Sequence, residues 1–125
     1  MEGGEIMKLF SQAEKELWLA RIWQFDEKME LCFDDQECLA FFTEFACLRF
    51  THLISEVEAW LLEISKRGDL PIVFGLLAYW YVELEDWENS QDNVLKASRY
   101  FPDTDFWQEL FDDSSFGEFL DQEMD

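Results

Sequence analysis

The chain carries one histidine, His52, and three cysteines, Cys32, Cys38 and Cys47. A histidine within reach of a thiol is the minimum of a base with its nucleophile, and Cys47 or Cys38 would supply the thiol. Such a pair needs a third group to orient the imidazole, and none is evident around Thr51-His52-Leu53. His52 therefore reads as a helix-face or a packed histidine. The cysteines lack zinc-site spacing: Cys32 and Cys38 are six residues apart, and Cys47 sits in an apolar stretch. They read as core thiols. Carboxylates are so numerous that pairs such as Glu14 with Glu16, or Glu83 with Asp86, arise by chance. A calcium loop with its glycine and terminal glutamate, a Glu-x-x-His pair and a glycine-rich phosphate loop are all missing from the sequence. The acids read as a solvated face. No cofactor and no metal is expected, and the chain is not expected to be an enzyme.

The elements around these residues are bounded first by composition. The chain has 125 residues, 29 acidic and 9 basic, for a net charge of −20, yet 49% of it is hydrophobic, with thirteen Phe and six Trp. That apolar content is too high for a disordered acidic chain, and the length suits one domain. A field of this sign repels phosphates and anionic lipid, which excludes direct nucleic-acid and lipid-surface binding. No apolar run approaches the ~20 residues of a membrane span, and no signal peptide is recognisable. An odd number of cysteines is no disulfide framework, so a reducing cytoplasm is the expected location.

Apolar residues recur at three- and four-residue spacing, and strict alternation is absent. Phe10, Ala13, Leu17, Ala20 and Trp23 mark a first amphipathic helix of about four to five turns, with Glu14, Lys15 and Arg21 on its other faces. Asp34 and Asp35 can cap a second, whose positive end Glu37 supports. From Cys38 to Ile64 the pattern is helical and unusually apolar. It is one long helix or two joined near Thr51–His52. Lys66, Arg67 and Gly68 end it, and Pro71 opens a buried helix to Leu84. The polar corner Glu85-Asp86 leads to a helix from Trp87 to Tyr100, stopped by Pro102. Asp103, Thr104 and Asp105 then cap a short segment with Phe106, Trp107, Leu110 and Phe111. The expected fold is all-α: antiparallel hairpins stacked as a short solenoid or a compact bundle. Residues 1–111 form one helical domain in this reading, with a capping helix at 105–111. Nine acids and no lysine or arginine fall between Asp103 and Asp125, so 112–125 is expected to be a flexible acidic tail.

The segment Pro71 to Thr104 carries a repeat signal. Phe74, Leu77-Ala78, Tyr81, Ser90, Val94, Ala97 and Pro102 fall at the places where a large residue, a large–small pair, an aromatic, a small residue, a large one, a small one and a proline recur. This unit resembles a tetratricopeptide repeat. It departs from the pattern at Val94, where a larger residue is usual, and at Glu85, where glycine usually eases the corner. Small Ala78, Ser90 and Ala97 would let two helices approach closely. Upstream only a degenerate partner is legible, with Leu39, Phe42, Ser55 and Leu62 in place. The resemblance implies a protein-binding scaffold whose concave face takes a peptide or helix, similar to the small acidic chaperones of bacterial secretion systems.

Function follows as an expectation from these parts. Core filling accounts for most aromatics, notably Phe41, Phe45, Phe50, Tyr79 and Trp80, but so many rings imply some left for an interface. The chain is expected to be an adaptor or chaperone, holding a basic or amphipathic helix in an aromatic groove with an acidic rim, and free to associate with itself or another protein. Leu77, Tyr79 and Tyr81 would line that groove, Trp80 and Trp87 would anchor it, and Phe106 and Trp107 would add a recognition segment. The alternative expectation is an acidic nucleic-acid mimic that inhibits a DNA- or RNA-binding protein.

Overall fold

The computed structural model describes residues 8–32 and 34–101. These form five α-helices: α1 (Gln12–Leu31), α2 (Asp35–Ala46), α3 (Ile54–Ser65), α4 (Ile72–Glu83) and α5 (Trp87–Tyr100). A single 3-10 turn, Cys47–Phe50, links α2 to α3, so the apolar stretch from Cys38 to Ile64 is two helices. The fold is all-α. The capping helix at 105–111 and the acidic tail at 112–125 lie outside the described residues.

Local chemistry sets the boundaries. Ser11 accepts from the Glu14 N–H while the Glu14 carboxylate takes the Ser11 N–H, a reciprocal box that starts α1. The Asp34 carboxylate accepts from Gln36 and Glu37 N–H and starts α2. Gly68 turns the chain with φ +76°, a conformation that favours glycine. The corner between α4 and α5 is tighter. Asp86 N–H bonds the Tyr81 carbonyl and Glu85 N–H bonds that of Val82, which closes α4 in a Schellman arrangement. Asp86 then caps α5 directly by accepting from Asn89 N–H. The geometry leaves Glu85 at φ +58°, where an L side chain is strained. This is the position at which a glycine was missed in the sequence pattern.

α4 is the axis of the molecule. It packs against each of the other four helices, most intimately against α5, and is buried around its circumference. At the α4–α5 crossing the fully buried Ser90 donates from Oγ to the Ala78 carbonyl at 2.8 Å, and Ala97 is buried beside Val94. Rings fill the remaining space. Phe45 meets Trp18 edge-on at 4.9 Å and Trp80 at 6.0 Å, while Phe10 meets Trp60 at 5.2 Å.

The orientation of α1 differs from expectation. The face turned into the core is Trp18, Ile22, Asp26 and Met29. Ala13, Leu17, Ala20 and Trp23, read in the sequence as its buried stripe, are all exposed, and buried Phe10 precedes the helix. Both rows have helical spacing, so periodicity alone does not choose between them. The inner row is the one that packs Trp18 against Phe41 and Phe45 of α2. The helix is also longer than expected, at 20 residues.

Candidate partner-binding surface

Leu77, Trp80 and Tyr81 are enclosed by the protein itself. The helices around α4 occupy the groove that these residues were expected to line, so they present no surface to a partner. The Tyr81 hydroxyl donates to the Glu58 carboxylate at 2.8 Å, and burial together with that neighbouring negative charge pushes its phenol well above the ordinary tyrosine range. Tyr79 is half-buried at the α2–α4 seam. Its hydroxyl oxygen accepts from Thr43 Oγ1 at 3.3 Å, and burial pushes its phenol upward. Trp87 is half-buried at the start of α5. Phe106 and Trp107 lie outside the described residues. The Trp80 indole N–H is buried and finds no acceptor among the described residues.

Two other expectations are corrected. Phe50, read as core, projects from the 3-10 turn with Arg49 4.0 Å above its ring. Of the thiols only Cys38 is buried, while Cys32 and Cys47 are exposed. Both exposed cysteines sit at the ends of helical segments, Cys32 after α1 and Cys47 after α2.

His52 does have a third group beside it. Its Nε2 lies 2.6 Å from Glu14 Oε2, and its Nδ1 lies 2.7 Å from Thr51 Oγ1. Glu14 is 38 residues away in sequence, so only folding reveals the contact. Phe10 packs edge-on against the imidazole at 5.7 Å, and Lys8 pairs with His52 in one parallel β-bridge. The cluster therefore pins the segment before α1 onto the turn before α3. Burial pushes the Glu14 carboxyl up, but the Ser11 hydroxyl and N–H and the His52 ring outweigh it and hold Glu14 below the usual carboxylate range. Among the described residues, no group of three or more His, Cys, Asp and Glu is placed to hold a metal, and no helix is long and apolar enough to cross a membrane.

A second cluster staples α1 to α2. Arg21 forms a two-bond pair with Glu44, at 2.7 and 2.9 Å, while its guanidinium lies 4.3 Å from the Trp18 ring centroid. One turn pair along, Lys28 bonds Glu37. Phe25 stacks on Phe41 at 4.4 Å between these ion pairs. The cations on this edge of α1 are thus occupied within the molecule.

The outward side of α1 is exposed. Ala13, Leu17, Ala20, Gln24, Glu27 and Leu31 follow one another at alternating steps of four and three, the spacing of a coiled-coil seam. All six are exposed. The row beside the seam on one edge is Glu16, Trp23 and Glu30, and the row on the other is Glu14, Arg21 and Lys28. The second row is spent on His52, Glu44 and Glu37. Glu16, Glu27 and Glu30 have no cationic partner among the described residues. The seam was readable in the sequence as a heptad, but it coincides with a pattern that also describes a buried face. No family model matches the chain, and neither a curated protein nor a solved structure matches it. The reading of function rests on the chain's own surface.

A second group of exposed apolar residues lies around the His52 cluster. The Lys8–His52 bridge sets Leu9 beside Leu53, next to Phe50 and Ile54, and all four are exposed. Two surfaces are thus candidates for a partner.

Proposed function

We propose that the chain is a non-enzymatic protein-binding module of the adaptor or chaperone kind, in which α4 and α5 are the repeat-like hairpin and the outer elements meet the partner. One observation carries this reading. In a molecule whose core is tightly filled with rings, Leu9, Leu17, Leu31 and Phe50 are 66, 62, 85 and 64% exposed. Scattered single leucines need no explanation, but rows of them beside unpaired acids fit a surface that another molecule covers. The close α4–α5 crossing through Ala78, Ser90 and Ala97 supports the likeness to a tetratricopeptide unit. Its grooves, however, are filled by α1, α2 and α3, so the partner is held on the outside of the stack. The His52 cluster serves in this reading as a clamp that holds the outer surface in shape.

The test is capture from nuclease-treated lysate with the full chain as bait, repeated with Leu17→Ser/Leu31→Ser and with Phe50→Ser/Leu53→Ser. A protein retained by the parent chain, resistant to duplex DNA and lost with one of the two variants supports the reading. Retention of only nucleic-acid-binding proteins, released by duplex DNA, would overturn it in favour of phosphate mimicry by the acidic surface. So would capture indifferent to both variants.

A further inference from the structure

We propose that the outward seam of α1 is the docking site for a basic amphipathic helix of another protein, which lies along it in coiled-coil fashion. The proposal rests on the protein-binding reading and names its surface and the chemistry of its partner.

The seam has the form that a helix requires. Leu17 and Leu31 stand two heptads apart, with small Ala20 between them to let a second backbone approach. From Leu17 to Leu31 the face runs about 21 Å at 1.5 Å per residue, room for about four turns of partner helix. Helix α1 turns Trp18, Ile22, Asp26 and Met29 into the core and leaves the outer row exposed. Leu17 and Leu31, exposed at heptad spacing on that face, are surface that a second helix can cover.

Charge decides which molecule. Glu27 sits in the seam itself, and Glu16 and Glu30 flank it, none of them paired with a cation among the described residues. Burying them against an apolar or acidic partner would leave carboxylates desolvated and alone, which is strongly unfavourable. A lysine or arginine facing each of them removes that penalty and fixes the register. The chain's own C-terminal stretch fails this requirement, with nine acids and no lysine or arginine from Asp103 onward. A second copy fails it too, because it brings another −20 and the same unpaired glutamates. The cations nearest the seam, Arg21 and Lys28, are held by Glu44 and Glu37 and do not neutralise it. What remains is a cationic helix with one apolar face.

The probe is a dye-labelled 21-residue helical peptide with leucine at its seam positions and lysine on both flanks, read by fluorescence anisotropy against the full chain. A control peptide keeps the lysines and replaces the leucines with serine. The expected result is binding of the leucine peptide on the order of tenfold tighter than the control. Leu17→Ser/Leu31→Ser should abolish that preference. Glu16→Gln/Glu27→Gln/Glu30→Gln should weaken both peptides and flatten their salt dependence. These side chains are exposed, so each variant should melt with the parent by circular dichroism. Equal binding of the two peptides, or an undiminished preference in Leu17→Ser/Leu31→Ser, would overturn the proposal. The lysate capture separates the two levels. A partner kept by the α1 variant and lost with Phe50→Ser/Leu53→Ser removes the seam and leaves the binding module standing, whereas capture indifferent to both removes the module itself.

Discussion

Asp26 offers the sharpest test of the packing described above. It lies on the inner face of α1, is 4% exposed, and its Oδ1 accepts the Ile72 N–H at 2.9 Å. Ile72 is the first residue of α4, whose own flanking residue, Pro71, offers no side-chain cap. One helix thus caps another across the core. Asp26→Ala removes a charge-assisted hydrogen bond and leaves a buried N–H unsatisfied. Those two effects overlap, and relief of a buried carboxylate offsets part of them, giving a loss of about 2 kcal/mol. In a domain of this size that lowers the melting temperature by about 8 °C. Asp26→Asn keeps an oxygen acceptor at the same place without the charge. Burial raises the Asp26 pKa, more than the Ile72 N–H lowers it, with the charges of Glu30 and Asp69 adding to the rise. A raised folded pKa means that the folded protein holds the proton more tightly than the unfolded chain. The burial penalty is therefore present above the folded pKa and is relieved as pH falls towards about 3.9, the unfolded value. Asp26→Asn should match or exceed the parent at pH 7, and the difference should close below about pH 4. Urea unfolding followed by circular dichroism at several pH values measures both variants, with an unchanged slope as the control. If Asp26→Asn is as destabilising as Asp26→Ala at pH 7, the carboxylate is stabilised by its surroundings and the reasoning fails. A loss below about 0.5 kcal/mol in Asp26→Ala would show that α4 does not depend on this cap.

Other consequences of the structure can be checked separately. Glu85→Gly should stabilise the protein by about 1 kcal/mol, because it relieves a left-handed backbone at the α4–α5 corner, and an unchanged melting temperature would contradict that geometry. Ser90→Ala should cost about 1 kcal/mol through the lost bond to the Ala78 carbonyl, and Ser90→Leu should cost clearly more by forcing α4 and α5 apart; equal effects in thermal melts would place the two helices too far apart for this contact. Native protein should show two thiols reactive towards a disulfide reagent, Cys32 and Cys47, with Cys38 reacting only after denaturation. Stability contributed by Glu14 should be present above about pH 4.3 and disappear as pH falls through its lowered folded pKa, so Glu14→Gln should flatten the acid limb of the stability profile.

Much of this architecture is legible in the residues alone. Local signals act over one or two turns, and wherever they decide an element the sequence suffices. Asp34 caps α2, Pro71 and Gly68 bracket the entry to α4, and the polar corner Glu85-Asp86 separates α4 from α5. Glu85, which the sequence shows at a corner without a glycine, is the one non-glycine residue with positive φ among those described. The candidate site was less legible, and for one reason throughout. Periodicity identifies a face but does not say which of two faces turns inward, and α1 has apolar residues on both. Its buried side is decided by the fit of Trp18 to Phe41 and Phe45, a property of two helices at once. The same holds for α4, whose aromatic residues look like a ligand groove until four helices close around them. His52 looked isolated because Glu14 meets it only after the segment around Lys8 folds back. Composition, spacing and capping residues determined that this protein is helical, acidic and rich in rings, because those are short-range or additive properties. Which rings are core, which carboxylates are paired and which face of α1 is left exposed depended on tertiary packing, since burial is a property of what lies opposite a residue and never of the residue itself.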